Sequence, residues 1–279
     1  MTDTPASRPA GFRHAEIGVG GEEQTRVLAG MLDLQARQPA VVRLREWALA
    51  RLAPEPGETV VDVGSGVGEV VVRLARAVGP TGRAVGVEPN PALRAIADER
   101  ASAEGAASAT FVDGVAGDLP FDDGSVDAVT CERVLQHLDD PEGAVREMAR
   151  VLRPGGRVVL LDSDWATSVM HPGDQDVVAR YQAATWAGFA NPFSGRRLRS
   201  QLRAAGFDVD PDIGSAALVL PDEALRGGMI GAGGPGAVAS GAVTRDELDT
   251  LLADISAAVD SGEAFVSVTM FAAVGRKPA

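Results

Sequence analysis

The chain has 279 residues, 45% of them hydrophobic, and a formal net charge of −13. That is enough apolar material for one large domain, or for one domain with a substantial insertion. The acidic balance argues against a nucleic-acid surface and against docking on anionic membranes. The single cysteine, Cys131, excludes an internal disulfide framework and a cysteine-based zinc site, and it suits a reducing cytoplasm.

Residues 1–20 are rich in Pro, Gly, Ser and Thr, lack the apolar core of a signal peptide, and are expected to form a loose tail. Nowhere does an apolar run approach the length of a membrane span. A cytoplasmic chain is therefore expected. Residues 21–56 read as one or two helices interrupted at Pro39 and stopped by Pro54-Glu55-Pro56-Gly57. These helices either cover one side of a ligand cleft or merely pack on a sheet.

A strand–helix alternation follows over residues 57–163. The β-branched run 59–63 leads through a glycine turn into a helix over about 68–78. Strands are predicted at 83–88, 109–112, 126–130 and 157–161. Helices are predicted after Pro91 and after Asp140-Pro141-Glu142, the latter with an N-cap acid and a first-turn proline. Such alternation implies a parallel, doubly wound α/β sheet. Residues 164–279 are less regular and are expected to hold lid insertions and the last strands. Residues 163–193 gather Trp165, His171, Tyr181, Trp186, Phe189 and Phe193. A helix is predicted at 194–205, a strand at 216–220 and a mobile Gly/Ala-rich segment at 227–243. Thr244-x-x-Glu247 forms a capping box that opens a helix, and 264–274 reads as the final strand.

The turn Asp62-Val63-Gly64-Ser65-Gly66-Val67-Gly68-Glu69 admits three readings: a dinucleotide loop, a loop for another ligand, or a structural turn. A dinucleotide fingerprint needs its third glycine where Glu69 stands. Glu69 and Asp62 would repel a pyrophosphate, whereas the ammonium and sulfonium groups of S-adenosylmethionine (SAM) would suit them. Open parallel sheets bind ligands beyond the carboxyl ends of their strands. Those ends here are Asp62–Gly68, Glu88, Asp113–Phe121, Cys131-Glu132-Arg133 and Asp162-Ser163-Asp164-Trp165.

In order, the segments Val61–Gly68, Gly86-Val87-Glu88-Pro89-Asn90, Leu119-Pro120-Phe121 with Gly124–Asp127, Val134–Leu138 and Glu147–Gly156 resemble the class I SAM-dependent methyltransferases. The branch they are most similar to is the small-molecule one that includes the ubiquinone/menaquinone methyltransferases. The resemblance implies a Rossmann-like, mostly parallel seven-stranded sheet with N-terminal helices and a helical lid. It implies that Gly64, Ser65, Gly66 and Gly68 hold the methionyl part, with Asp62 near the ammonium. Glu88, with Pro89, would bind the ribose, and Cys131 and Glu132 would close the cofactor site. Val115 and Ala116 would face adenine. The family carries Asp where Val115 stands, so Asp113, Asp118 or the backbone alone must read the adenine edge here.

The expected reaction is methyl transfer to a small acceptor, with O-methylation favoured over C-methylation and S-adenosylhomocysteine (SAH) as product. His137 is the first candidate base or orienting group. His14 is a further histidine in the tail. Arg133, Asp164, Trp165, His171 and Trp186 are candidate substrate contacts, with Phe189, Asn191 and Arg196 further lid candidates. The run Arg196-Arg197-x-Arg199 reads as a solvated helix start. Lys277 is the only lysine, a bias of GC-rich genomes that suits a bacterial secondary-metabolite enzyme. The chain is expected as a monomer or homodimer. Two other functions stay open: a fold relative that catalyses cyclisation or rearrangement without methyl transfer, and a ligand-binding regulator.

Overall fold

The run Thr59–Val63 is apolar at consecutive positions because the sheet is covered on both faces. Val60 packs with Val41, Leu44 and Leu52 on one face. Val61 and Val63 pack with Val145, Met148 and Leu202 on the other. The computed structural model describes residues 22–226, 228 and 230–279; the predicted tail at 1–20 and His14 lie outside them. The elements are α1 (Glu22–Ala36), α2 (Pro39–Leu52), β1 (Thr59–Val63), α3 (Glu69–Val78), β2 (Arg83–Val87), α4 (Pro91–Ala103), β3 (Ala109–Val112) and β4 (Val126–Glu132). There follow α5 (Pro141–Val151), β5 (Leu152–His171), α6 (Gln175–Trp186), α7 (Ser194–Ala204), β6 (Asp208–Val209), β7 (Gly214–Val219), α8 (Asp222–Arg226), α9 (Gly234–Ala239), α10 (Arg245–Ser261) and β8 (Phe265–Arg276).

The strand order is β3-β2-β1-β4-β5-β8-β6, with β7 also on β8. The first five positions are parallel, and β8 runs antiparallel to β5. The seven-stranded expectation becomes eight strands among the described residues because the edge position is broken. Asp208–Val209 and Gly214–Val219 lie end to end along β8, separated by a stretch containing Pro211, which cannot donate to the ladder.

Two further differences matter for the site. Residues 164–171, read as the start of the irregular region, continue β5. Their pairing with β8 shifts register between Asp164 and Val169, and this bulge hides the strand's alternation. The resulting ribbon carries a second core, in which Met170 and Val266 meet Val178, Tyr181, Leu248 and Ile255. Within the Gly/Ala-rich segment, Gly231–Gly233 forms a 3-10 turn and Gly234–Ala239 a helix, with Ala237 buried. Its glycines serve close packing: a Cβ on Gly234 would lie 2.7 Å from Leu248 Cδ2. No helix among the described residues is long and apolar enough to cross a membrane.

Candidate active site

The strand order reverses between β1 and β4, and a cleft of about 960 Å³ opens there at the carboxyl ends of the strands. One wall is α1, whose Leu28 and Leu32 pack with Val67 and Leu93. Arg100 fastens that helix to α4 through both Asp33 oxygens, at 2.6 and 2.8 Å. Thus the N-terminal helices both pack and cover the cleft.

The glycine turn is held by the Gly64 and Ser65 N–H groups, which donate to the Val87 carbonyl at 2.8 and 3.1 Å. Gly64 has φ +73°, and a Cβ there would stand 2.3 Å from Val134 Cγ2. Gly64, Ser65 and Gly66 line the cleft. Gly68 does not; it caps α3 and lies against Phe111 and Ala97. The Ser65 hydroxyl is buried with no partner among the described residues. Gly86 makes room for it, since a Cβ at Gly86 would stand 2.5 Å from that oxygen.

Carboxylates dominate this end. Glu88 and Pro89 line the cleft, and Glu88 accepts from the Gly66 N–H at 3.0 Å and the Asn90 N–H at 2.9 Å. These bonds aim the group and leave further lone pairs for a ligand's hydroxyls. Burial nevertheless raises its pKa. Asp62 is 3% exposed and accepts no hydrogen bond from any described residue. Burial, then the nearby Glu132, raises its pKa well above the usual carboxylate range. Glu132 is also buried, which opposes its ionisation, but Arg45 and Arg133 outweigh that and hold its pKa low. Arg45 donates from Nε and Nη2 to the two Glu132 oxygens at 2.7 and 3.0 Å, and from Nη1 to Glu69 at 2.5 Å. Among the described residues, the charged side chains lining the cleft are Arg45, Asp62, Glu69, Glu88, Glu132 and Arg133. The balance favours a cationic ligand over a phosphate.

Val115 and Ala116 line the adjoining wall. Asp113 does not, being exposed and paired with Arg94 at 2.7 Å. Asp118 is exposed on the far limb of a bridge with Val115. Neither lines the cleft, so neither stands where the family's aspartate is expected. Cys131 lies behind the cleft, 1% exposed, and burial pushes its thiol pKa up.

Arg133 follows β4 in a left-handed conformation, φ +57°, and donates to Gln35 of α1. Burial lowers its pKa. His137 ends the one-turn helix Leu135–His137 and lines the cleft, 6.1 Å from the Phe189 ring. Burial, then the Arg133 charge, lowers its pKa to about 4. Trp165 stacks on Phe189 at 4.8 Å and donates from Nε1 to Gln136 at 3.0 Å. Trp186 also lines the cleft.

Two substrate candidates fall elsewhere. Asp164 is buried and gripped by Arg196, so neither the acid nor that arginine of the presumed solvated run is free for a ligand. His171 is exposed at the end of β5, opposite Phe265, and does not line the cleft. Asn191 serves structure, bonding the Leu135 and Leu138 carbonyls. Sequence reasoning missed Arg45, Gln35 and Gln182. The available signal was a polar residue on a helix's apolar stripe: Gln182 follows buried Val178 and Tyr181 on α6.

Residues 61–160 match the family model described as a methyltransferase domain, Methyltransf_11. The chain is 35% identical over 179 residues to an uncharacterized 37.1 kDa protein in transposon TN4556 of Streptomyces fradiae, covering 64% of this chain and 51% of that one. It is 37% identical over 108 residues to the ubiquinone/menaquinone biosynthesis C-methyltransferase UbiE of Ectopseudomonas mendocina, covering 38% and 42%. The crystal structure of the [4+2]-cyclase SpnF superposes with a TM-score of 0.59 at 21% identity, covering 98% of this chain and 99% of that one. The chain spans about half the length of the curated relatives it matches. The turn, the strand-end carboxylates and these matches agree: residues 61–160 form a methyltransferase domain of this family, and the chain has the fold of the class I SAM-dependent methyltransferases.

Proposed function

We propose that the chain is an enzyme that transfers the methyl group of SAM to a small-molecule acceptor, favouring oxygen. The observation that carries this is the buried Asp62 carboxylate beside Glu88 and the buried Ser65 hydroxyl, neither Asp62 nor that hydroxyl having a hydrogen-bond partner among the described residues. A buried polar group is costly until something pairs with it. Asp62 would take the ammonium, Glu88 the ribose hydroxyls, and the Val115–Ala116 backbone the adenine edge. Bound SAM supplies a methyl carbon already activated by its sulfonium.

The remaining work is to hold the acceptor in line at about 3 Å and keep water out. Trp165, Phe189 and α1 wall the reaction centre. His137 is neutral at physiological pH and can accept a proton. Its low basicity suffices because a hydroxyl becomes strongly acidic as its oxygen is alkylated, so the proton moves late. The aromatic-walled cleft and the arginine-over-lysine bias support a role in secondary metabolism.

Calorimetric titration with SAM and SAH tests the cofactor site. Wild type is expected to bind both, and Glu88→Ala to bind at least about 30-fold more weakly, given about 1.5–3 kcal/mol per charge-assisted hydrogen bond. No binding by wild type would overturn the reading. Mass spectrometry of an acceptor turned over with SAM should show the gain of one methyl group, and the product's fragmentation separates oxygen from carbon. Turnover without that gain would favour the rearrangement reading. His137 should contribute no acidic limb to the pH profile of kcat/KM between about pH 5 and pH 8, because it takes up its proton only near pH 4; a limb there from the raised carboxylates Asp62 and Glu88 would persist in His137→Ala. A limb near about 6.5, abolished in His137→Ala, would contradict the histidine's depressed pKa.

A further inference from the structure

The cleft's two halves differ in chemistry. Among the described residues, every charged lining side chain comes from residues 45–133. Beyond His137 the lining contains none among the described residues, and Met170, Tyr181, Trp186, Phe189, Leu220 and Val266 make its walls. Some of the polar groups there are already spent locally. The Tyr181 hydroxyl donates to the Ile230 carbonyl, Thr185 to the Tyr181 carbonyl at 3.0 Å and Ser240 to the Ala237 carbonyl at 3.0 Å.

Gln182 is different. It is 9% exposed, lines the cleft from the apolar stripe of α6, and its amide makes no hydrogen bond with any described residue. Ser163 and Ser267 are buried in the same lining, and their hydroxyls also make no such bond. A charged acceptor would lose its hydration against these walls, where the described residues beyond His137 offer no counter-ion. A wholly apolar one would leave the Gln182 amide unsatisfied. The amide presents one acceptor and two donors, which match a carbonyl or hydroxyl.

We propose that the methyl acceptor is a neutral, largely apolar molecule whose hydroxyl or carbonyl group is held by Gln182, the specificity-determining residue of this compartment. This rests on the methyl-transfer reading above. Among the described residues, the cofactor end holds the charges, and the cap end offers the Gln182 amide with the Ser163 and Ser267 hydroxyls in an otherwise apolar cavity.

The test is calorimetry on the SAH-saturated protein with three probes of one shape: 2-naphthol, 2-naphthoate and 2-naphthyl phosphate. Wild type is expected to bind 2-naphthol and to bind each anion at least about tenfold more weakly. Gln182→Leu, close in size and apolar, should weaken 2-naphthol about tenfold, the cost of one neutral hydrogen bond. Its SAH affinity should stay within about twofold of wild type, because α6, which carries Gln182, contributes none of the carboxylates that line the cleft. Should the leucine variant not fold, Gln182→Asn, which withdraws the amide by one methylene, is expected to show the same selective loss. Equal or tighter binding of either anion overturns the proposal. So does absence of 2-naphthol binding, or its unchanged affinity in a folded Gln182 variant. Failure of wild type to bind SAH would instead sink the methyl-transfer reading itself.

Discussion

Gly64→Ala is expected to destabilise the protein by about 3 kcal/mol or more, and to weaken SAH at least about tenfold. Two costs add. An L residue at φ +73° costs about 1–2 kcal/mol relative to glycine. Its Cβ would also stand 2.3 Å from Val134 Cγ2, and forcing a methyl into a filled space costs about 1–3 kcal/mol. Relief by movement has functional consequences on either side. Moving the turn breaks the two bonds to the Val87 carbonyl and displaces Gly66, which aims Glu88. Moving Val134 disturbs its neighbour Arg133, itself left-handed, and the turn that carries His137. Gly105→Ala provides the control: its φ is +66°, but nothing lies within 4 Å of the added carbon. Urea unfolding of both variants separates strain from overlap. Equal losses would show that the contact with Val134 is unimportant. A Gly64→Ala, Val134→Ala double variant should recover part of the stability, since it removes the overlap and keeps only the strain.

The parallel half of the fold was legible because each of its signals is local. Strands buried on both faces read as unbroken apolar runs, and caps mark helix starts. Asn90, Asp140 and Thr244 accept the N-terminal hydrogen bonds of α4, α5 and α10. The cofactor end was legible for the same reason: Gly64–Gly66 and Glu88 each follow a strand directly. The acceptor end was not. Its lining joins β5, α6, the 3-10 turn before α9, and β8, elements as much as a hundred residues apart, such as Trp165 and Val266. Spacing carries no information about that assembly. Aromatic content pointed to the right region and to Trp165, Trp186 and Phe189, which line the cleft, but not to its polar side chains: His171 and Asp164 lie elsewhere, and Gln182 carries no aromatic signal. Glycine misled in the segment before Thr244, because the freedom it grants a loop and the close approach it grants a helix look alike in sequence.

The other large effect is expected at Arg45. Arg45→Met keeps the length of the stem but removes the guanidinium that binds both Glu132 oxygens and Glu69. Breaking a buried pair on one side costs about 3–5 kcal/mol, because the remaining charge stays desolvated. Here the remaining charge is Glu132, whose side chain is 8% exposed and whose neighbour Asp62 already has a strongly raised pKa. The pH dependence gives the loss a signature. In wild type the Glu132 pKa is depressed on folding. Its contribution to stability is therefore present above the unfolded carboxylate pKa and is lost as pH falls through the folded one. Without Arg45 only Arg133, 3.4 Å from Glu132, still opposes the effect of burial, so the folded pKa moves up from its wild-type position. The variant's penalty grows as pH rises through that raised value and shrinks on acidification. Urea unfolding at about pH 8, 6 and 4.5 should thus show the two proteins converging toward acid, and a difference independent of pH would refute the account. Adding Glu132→Gln to Arg45→Met should restore part of the loss at high pH, because the buried charge that Arg133 alone compensates only in part goes with it. That recovery would identify Arg45 as the counter-charge that lets β4 end in a carboxylate beside Asp62, and so lets two acids share the mouth of one cofactor site.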